Sequence, residues 1–517
     1  MFAYITRRIL VSILTIVAAS FLMYTLTAVS GDPLEELRAS NAINKEELIQ
    51  RRIDLLNLDI PPVLRWFHWL GGVGGCLVPF AFECTLGNSV EGFAVAQLLP
   101  PAMASTVRLV TVATVLAIIL GVAVGMITAL RQNSAFDISV TFLSFFLYSL
   151  PSFLIAVLLK EFGAIGFNNF ISRGDPPQIG VFWVIAVTLL SAIVWAMLLG
   201  GDMKKRIITF VSAGVATAAA LIYINVTDFF REPHLGPVLL FLLIGFTVVG
   251  MTALTANLKN RRALLAAGIA GAVAYICYFT LQGLFNVSSV WTLMILAVGA
   301  IAGSMLIGWI VSLFGPDKGQ VIRAATLTGF FASSFVVVDR FMQAWPAYIN
   351  HPRINGRPMA TAQASTTGYT ADMWGAGLDQ LMHFLLPTIS LTLISFAFYT
   401  RFARAGLLEV FNQDYIRTAR AKGLSEHTIV MRHAFRNMLI PLTTIVAADV
   451  GTLLGGALIT ERVFAIAGMG RMFDVGLQKL DLNPIMGYFL VIAILAIAFN
   501  FIADLMYAVL DPRVRVK

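Results

Sequence analysis

The residues in this chain with the types and spacing to do chemistry are few, and they sit among apolar stretches. The largest group is "DYIRTARAKGLSEHTIVMRHAFRN", Asp414 to Asn437, a basic polar island with Gly423 near its middle. Asp449, Glu461 and Asp504 are acids within or beside apolar runs. An aspartate at mid-span costs about 2.5 to 3.5 kcal/mol, so such residues usually face a cavity or a partner. Catalytic chemistry finds no support. No G-x-x-x-x-G-K-[ST] loop is present to cradle phosphates, and "GPDKGQ" from Gly315 is too short. The six histidines are scattered and pair with no nucleophile; His427 and His433 fall within the island. The three cysteines fit no metal-ligand spacing, so neither a catalytic residue nor a metal site is expected. Cys76 and Cys84 share one loop, where an oxidising compartment would allow a disulfide and two free thiols are an equal alternative.

The elements that must position these residues are membrane spans. Of 517 residues, 58% are hydrophobic and 12% charged, and the mean hydropathy is +0.83. That composition lies outside the range of soluble domains. A span needs about 20 apolar residues, and about twelve segments qualify. The first, "RRILVSILTIVAASFLMYTLTAVSGDP", has a signal-peptide look but is too long for one and reads as a retained span. The third runs from Ile138 to Leu159, the eleventh from Met438 to Thr460 and the twelfth from Ile485 to Leu510. With the N-terminus inside, about 21 Lys and Arg fall on the inner side against about 13 in longer outer loops, which makes both termini cytoplasmic. The net charge of +8 sits between spans, with no basic face interleaved with aromatics, so it implies a lipid bilayer and no nucleic acid. The fold class is all-α and polytopic.

On this topology the island is cytoplasmic. Asp414 is expected to cap a short helix over "YIRTARAK", and Gly423 to take the left-handed position that ends it. Ser425 is expected to cap a second helix that runs towards the membrane. Tyr415, Ile416 and Leu424 then read as apolar groups facing water until a partner covers them. A loop whose arginines only fix topology and meet headgroups would need neither cap nor elbow.

"DYIRTARAKGLSEHTIVMRHAFRNMLIPL" resembles the coupling region, or EAA-type loop, of the permease subunits of bacterial dipeptide and oligopeptide ABC importers. Other stretches resemble the same family in the same order. They are "YITRRILVSILTIVAASFLMYTLTAVSGDP", "DIPPVLRWFHWLGGV", "TLGNSVEGFAVAQLLPPAMASTVRL", "GTLLGGALITERVFAIAGMGRMF" and "NFIADLMYAVLDPRVR". The resemblance covers roughly residues 1–162 and 375–517. It implies a type I ABC importer permease core of about six spans, which carries no cofactor of its own. The implied partners are a second homologous permease, two ABC ATPase subunits that bind ATP and magnesium, and an extracytoplasmic peptide-binding protein. The implied place is the bacterial inner membrane. Asp414, Tyr415, Ile416, Arg417, Thr418, Ala419, Arg420, Lys422, Gly423 and Leu424 would then dock on an ATPase and pass its motion to the spans. The wider family has glutamate, two alanines and a later proline where this chain has Arg417, Thr418, Ala419 and Arg436, and Ala467 replaces a common proline.

The chain divides in expectation into an N-terminal permease part, 1–162, an inserted region, 163–374, and a C-terminal core, 375–517, with the coupling loop at 401–436. The inserted region holds about six further spans; an even number keeps the island inside. It reads as a lipid-facing accessory bundle or a seat for a partner. Its last outer loop, "WPAYINHPRINGRPMATAQASTTGYTADMWG", reads as irregular. Asp449 is read either as lining the substrate path or as a protonated helix-to-helix hydrogen bond, Glu461 as lying near the outer mouth, and Asp504 as a weaker path candidate. A proton-coupled secondary carrier also has about twelve spans, but its halves should be alike, and no such likeness is visible here. Nickel and oligosaccharide importers share the permease family and stay open as alternatives.

Overall fold

A computed structural model of the chain describes residues 2–41, 43–77, 84–172, 177–286, 289–313 and 315–510, with the side chains at 2–5, 8–9, 427, 447, 450–456 and 503–510 outside the description. Among these residues the regular structure is helical apart from one bridge between Asn88 and Ala94. Helix is what a chain in lipid must form to satisfy its backbone polar groups. The order begins with α1 (Phe2–Ser30), α2 (Glu35–Ala39), α3 (Lys45–Leu56), α4 (Pro62–Leu77), α5 (Val95–Leu130), α6 (Ala135–Ser149) and α7 (Ser152–Leu158). A π-helical stretch, Leu159–Gly166, leads to α8 (Phe167–Ile171), α9 (Val181–Leu199), α10 (Met203–Val226) and α11 (Gly236–Thr255). Next come α12 (Arg261–Thr280), α13 (Gln282–Asn286), α14 (Val290–Ser312), α15 (Lys318–Ile349) and α16 (Met373–Phe411). The chain continues through α17 (Asp414–Ala421), α18 (Glu426–Thr428), a π-helical stretch Ile429–Ala434, α19 (Phe435–Gly456), α20 (Leu458–Val463), α21 (Met469–Gln478) and α22 (Leu482–Leu510).

Eleven helical segments among the described residues are long and apolar enough to cross a membrane, against about twelve expected. The expected span missing from the eleven is Met438 to Thr460, whose side chains at 447 and 450–456 lie outside the described residues, and the third expected span is shifted. Ile138 to Leu159 is not one helix, because the chain leaves helical geometry at Leu150 and Pro151. Proline lacks an amide donor and pushes the preceding residue to extended geometry, so α6 stops after 15 residues and a new 20-residue run starts at Ser152.

The chain forms two compact units. The first comprises Met1–Ala164, Thr361–Ala364 and His383–Lys517. In it, α5 and α16 pack closely because Gly121 and Gly125 present no side chain: a Cβ at Gly121 would lie 2.7 Å from Tyr399 Cβ, and one at Gly125 2.5 Å from the Thr400 carbonyl oxygen. A second cluster joins Tyr24, Trp66, Trp69, Leu86, Val95 and Met486. Cys76 and Cys84 are joined as a disulfide beside it.

The loop ahead of α5 is latched to the start of α22. Asp481 is buried and accepts from the Val90 amide at 2.7 Å, while its Oδ1 has no partner among the described residues. Asn483 donates to the Asn88 carbonyl at 2.7 Å, and Lys479 pairs with Glu91. Burial pushes the Asp481 carboxyl up to about 6, against opposing pulls from the Val90 amide, Arg52 and Lys479. A carboxyl raised on folding favours the folded state below its unfolded value of about 3.9, and loses that contribution as pH rises through the folded value. Thermal midpoints should therefore rise between pH 7.5 and pH 5 by more in the parent protein than in Asp481→Asn. Over that interval the contribution is about 1 to 1.5 kcal/mol; parallel pH curves would refute it.

The second unit comprises Ile165–Ala360 and Ser365–Met382. It contains six helices of membrane-crossing length, α9, α10, α11, α12, α14 and α15. Ala263, Ala266, Ala267 and Ala270 of α12 meet Val321, Ala324 and Ala325 of α15 in a core of small side chains. Asp339 is fully buried and accepts from the Leu235 amide at 2.7 Å, compensating the exposed amides at the start of α11. The polar loop between α15 and α16 is less irregular than expected: α15 continues to Ile349, and Asp379 accepts from the Thr366 amide at 2.9 Å and its hydroxyl at 2.6 Å.

Candidate functional site

The polar island forms two helices joined at a glycine. α17 ends in a Schellman closure: the Gly423 amide donates to the Arg420 carbonyl at 2.9 Å and the Leu424 amide to the Ala419 carbonyl at 3.3 Å. Gly423 has φ +74°, the left-handed position expected of it. Ser425 caps the next helix, accepting from the Thr428 amide at 3.3 Å. From Glu426 the chain stays helical through a π-helical turn into α19. A Cβ at Gly423 would meet no atom within 4 Å. Gly423→Ala should therefore cost only the left-handed penalty, about 1 to 2 kcal/mol in thermal stability, with Gly423→Asn milder; a larger loss would contradict the open space around Gly423.

Two expectations about α17 are corrected. Asp414 does not cap it: Gln413 holds the cap position without a side-chain bond, and Asp414 is the first helical residue, 3.6 Å from Arg417 in an exposed ion pair. An acid in the first turn still suits the positive end of the helix dipole. Ile416 is not waiting for a partner. It is fully buried, and with Ala419 one turn on it joins a core with Leu407, Ile429, Ala434 and Met438. The spacing i, i+3 gives α17 one apolar face, which this unit covers itself. Tyr415 and Leu424 do remain exposed. Asn437 donates to the Tyr415 hydroxyl at 2.9 Å, and Arg420 donates to Glu426 at 2.9 Å across the elbow. The exposed outer face thus carries Tyr415, Arg417, Lys422 and Leu424 on a helix fixed to its own unit.

A buried ion pair anchors the helix that delivers α17. Arg404, two turns from the end of α16, donates from Nε and Nη2 to both carboxylate oxygens of Asp137 at 2.7 and 2.9 Å. Asp137, 2% exposed, also accepts from the Asn133 amide at 3.0 Å and lies in the first turn of α6, whose N-cap is Ser134. Bidentate geometry with a backbone donor satisfies the buried carboxylate. In the sequence Arg404 is one of the inner-side cations, and no local signal marks Asp137 as its partner.

Glu461 is fully buried rather than lining an open mouth. Its carboxylate accepts from the Thr106 hydroxyl at 2.6 Å and the Arg471 amide at 3.0 Å, and Thr106 in turn accepts from the Met469 amide at 2.8 Å. These bonds satisfy the free amides at the start of α21. Burial pushes the Glu461 carboxyl up, and the bonds from Thr106, Arg471 and Gly470 pull it back. Gly468 and Gly470 are required here, since a Cβ at either would overlap or crowd Glu461. At the other end of the motif, Lys160 donates to the Val463 carbonyl at 2.7 Å, placing a cation at the end of α20. Thr106 lies in the quoted "LLPPAMASTVRL", so two of the stretches that carry the resemblance meet here.

Asp449 is half-buried on α19 and accepts from the fully buried Tyr399 hydroxyl at 2.6 Å. This is a helix-to-helix bond from α16. Asp504 lies on α22, with its side chain outside the described residues. Within the described residues no group of three or more metal-ligating side chains occurs.

Residues 235–516 match the model of the binding-protein-dependent transport system inner membrane component family. The chain is 41% identical over 148 residues to the dipeptide transport system permease protein DppB of Escherichia coli (strain K12), which is 28% of this chain and 44% of that protein. It is 41% identical over 145 residues to the di/tripeptide transport system permease protein DppB of Pseudomonas aeruginosa (strain UCBPP-PA14), 28% of this chain and 43% of the relative. To the oligopeptide transport system permease protein AppB of Bacillus subtilis (strain 168) it is 38% identical over 136 residues, 26% of this chain and 43% of the relative. The chain thus spans less than half the length of these three curated relatives. With the family match extending over more than half of the chain, it belongs to the family of inner membrane components of binding-protein-dependent transport systems.

Proposed function

We propose that this chain is a permease subunit of an ATP-driven importer of dipeptides or oligopeptides in the bacterial cytoplasmic membrane. It forms half of a translocation path with a second, homologous permease, and both of its termini are cytoplasmic. Two ATPase subunits bind ATP and magnesium and supply the hydrolysis, and an extracytoplasmic binding protein delivers peptide. The observation that carries this reading is helix α17, closed at Gly423, with Ile416 and Ala419 built into the spans' own core and Tyr415 and Arg417, with Leu424 just past its end, left exposed. Such a helix can be gripped from outside and move the spans with it. Peptide as cargo is supported by the names of the relatives.

Asp449 is assigned a place on the path, where it would attract the amino end of a peptide; Tyr399 would hold it in register. Asp449→Asn is expected to cut peptide uptake in the reconstituted complex with the assembly intact, and unchanged uptake and peptide-stimulated ATPase would remove the assignment. The reading as a whole is tested by uptake into proteoliposomes containing the co-purified subunits. Vanadate should abolish uptake and a protonophore should leave it; the reverse pattern would mean a secondary carrier.

A further inference from the structure

The second unit has a charged cleft apart from the residues of the site described above. Between the α11–α12 turn and the start of α15 lies an open cleft of about 640 Å³, lined by Lys259, Arg261 and Arg262 on one side and by Asp317 and Gln320 on the other. Lys318 and Arg323 stand in the first turns of α15 beside that second wall. Among the described residues none of these five cations is in an ion pair. α12, which opens here, carries Arg261 and Arg262 in its first turn and no acid, the reverse of what the helix dipole favours, while α15 carries Lys318 beside its N-cap residue Asp317. Asn260 caps α12 and reaches Asp317 at 3.4 Å, which ties the two walls together. Gly315 leaves the room that the Arg262 guanidinium fills, since a Cβ there would overlap it.

A second observation sets the kind of ligand. Leu254 and Leu258 on the α11 side, Leu265 one turn into α12, and Leu313 at the end of α14 are all exposed apolar side chains within a few residues in sequence of those that line the cleft. A free phosphate would use the cations and leave these leucines bare. An amphiphile with an anionic head and acyl chains uses both. Retention of positive charge on one side of the membrane explains why cations lie at this end of the unit. Topology alone does not require that three of them, Lys259, Arg261 and Arg262, line one cleft.

We propose that this cleft binds the phosphate headgroup of an anionic phospholipid, with the acyl chains lying over the neighbouring leucines. The test is native mass spectrometry of the full chain purified in mild detergent with phosphatidylglycerol. The parent protein should retain bound phosphatidylglycerol. Lys259→Gln/Arg261→Gln/Arg262→Gln should retain at least about tenfold less, whereas Lys204→Gln/Lys205→Gln/Arg206→Gln, with the same loss of charge, should match the parent. Arg262→Gln alone gives a graded loss should the triple variant fail to insert. Equal losses in both triple variants, equal retention of a zwitterionic lipid, or displacement of the lipid by millimolar inorganic phosphate would each overturn the proposal.

Discussion

Replacing Asp137 by alanine is expected to destabilise the first unit by about 3 to 5 kcal/mol, because it leaves the Arg404 guanidinium partly buried without its carboxylate. The Arg404 side chain is 28% exposed and that of Asp137 3%, so water can compensate only part of the loss. The effect should exceed that of any surface pair in the island, such as Arg420 with Glu426, where about 1 kcal/mol or less is at stake. The double variant Asp137→Asn/Arg404→Gln should recover much of the stability, since neither partner is then an uncompensated charge. Thermal unfolding in detergent of the parent, Asp137→Asn, Arg404→Gln and the double variant forms a complete cycle. Additive losses would mean that the pair does not act as a unit.

The second large effect is expected at Ile416. Ile416→Ala removes a fully buried side chain from the core shared by α5, α16, α17 and α19, at about 2 to 5 kcal/mol. Ile416→Asp adds the burial of a charge and should release α17 from the unit altogether. On the proposed reading, Ile416→Asp uncouples: the ATPase subunits still hydrolyse ATP, but peptide no longer stimulates them and uptake is lost. Tyr415→Ala, on the exposed face, should instead weaken retention of the ATPase subunits without lowering the thermal midpoint. The two variants separate the face that is gripped from the face that transmits.

Much of the site was legible because its signals are local. Gly423 and Ser425 have chemistry that only a helix stop and a helix start use, and both take those places. The errors arose where a neighbour in space decides. Asp414 is a good capping residue, but the helix begins one position earlier in register and Gln413 occupies the cap. Ile416 was assigned to water because its loop was, although its spacing with Ala419 marks a buried face. The break at Pro151 was legible in principle, since proline and the residue before it both resist helix. The Asp137–Arg404 pair and the Thr106–Glu461 bond were not, because 267 and 355 residues separate the partners. Glu461 shows why an acid beside an apolar run is ambiguous: here the carboxylate satisfies the amides of α21. Cys76 and Cys84 were a candidate pair by position, but sequence alone could not fix the redox compartment; the structure joins them.

The central claim is that α17 is the surface through which a separate ATPase moves these spans. Its most direct measurement is cysteine cross-linking from Arg417→Cys, an exposed position on the outer face of α17, in membranes that contain the whole transport complex. The account expects an adduct with an ATPase subunit whose yield changes between ATP-bound and nucleotide-free states, and no labelling of this cysteine by an impermeant maleimide applied to intact cells. Labelling from outside, with no adduct in either nucleotide state, would contradict it.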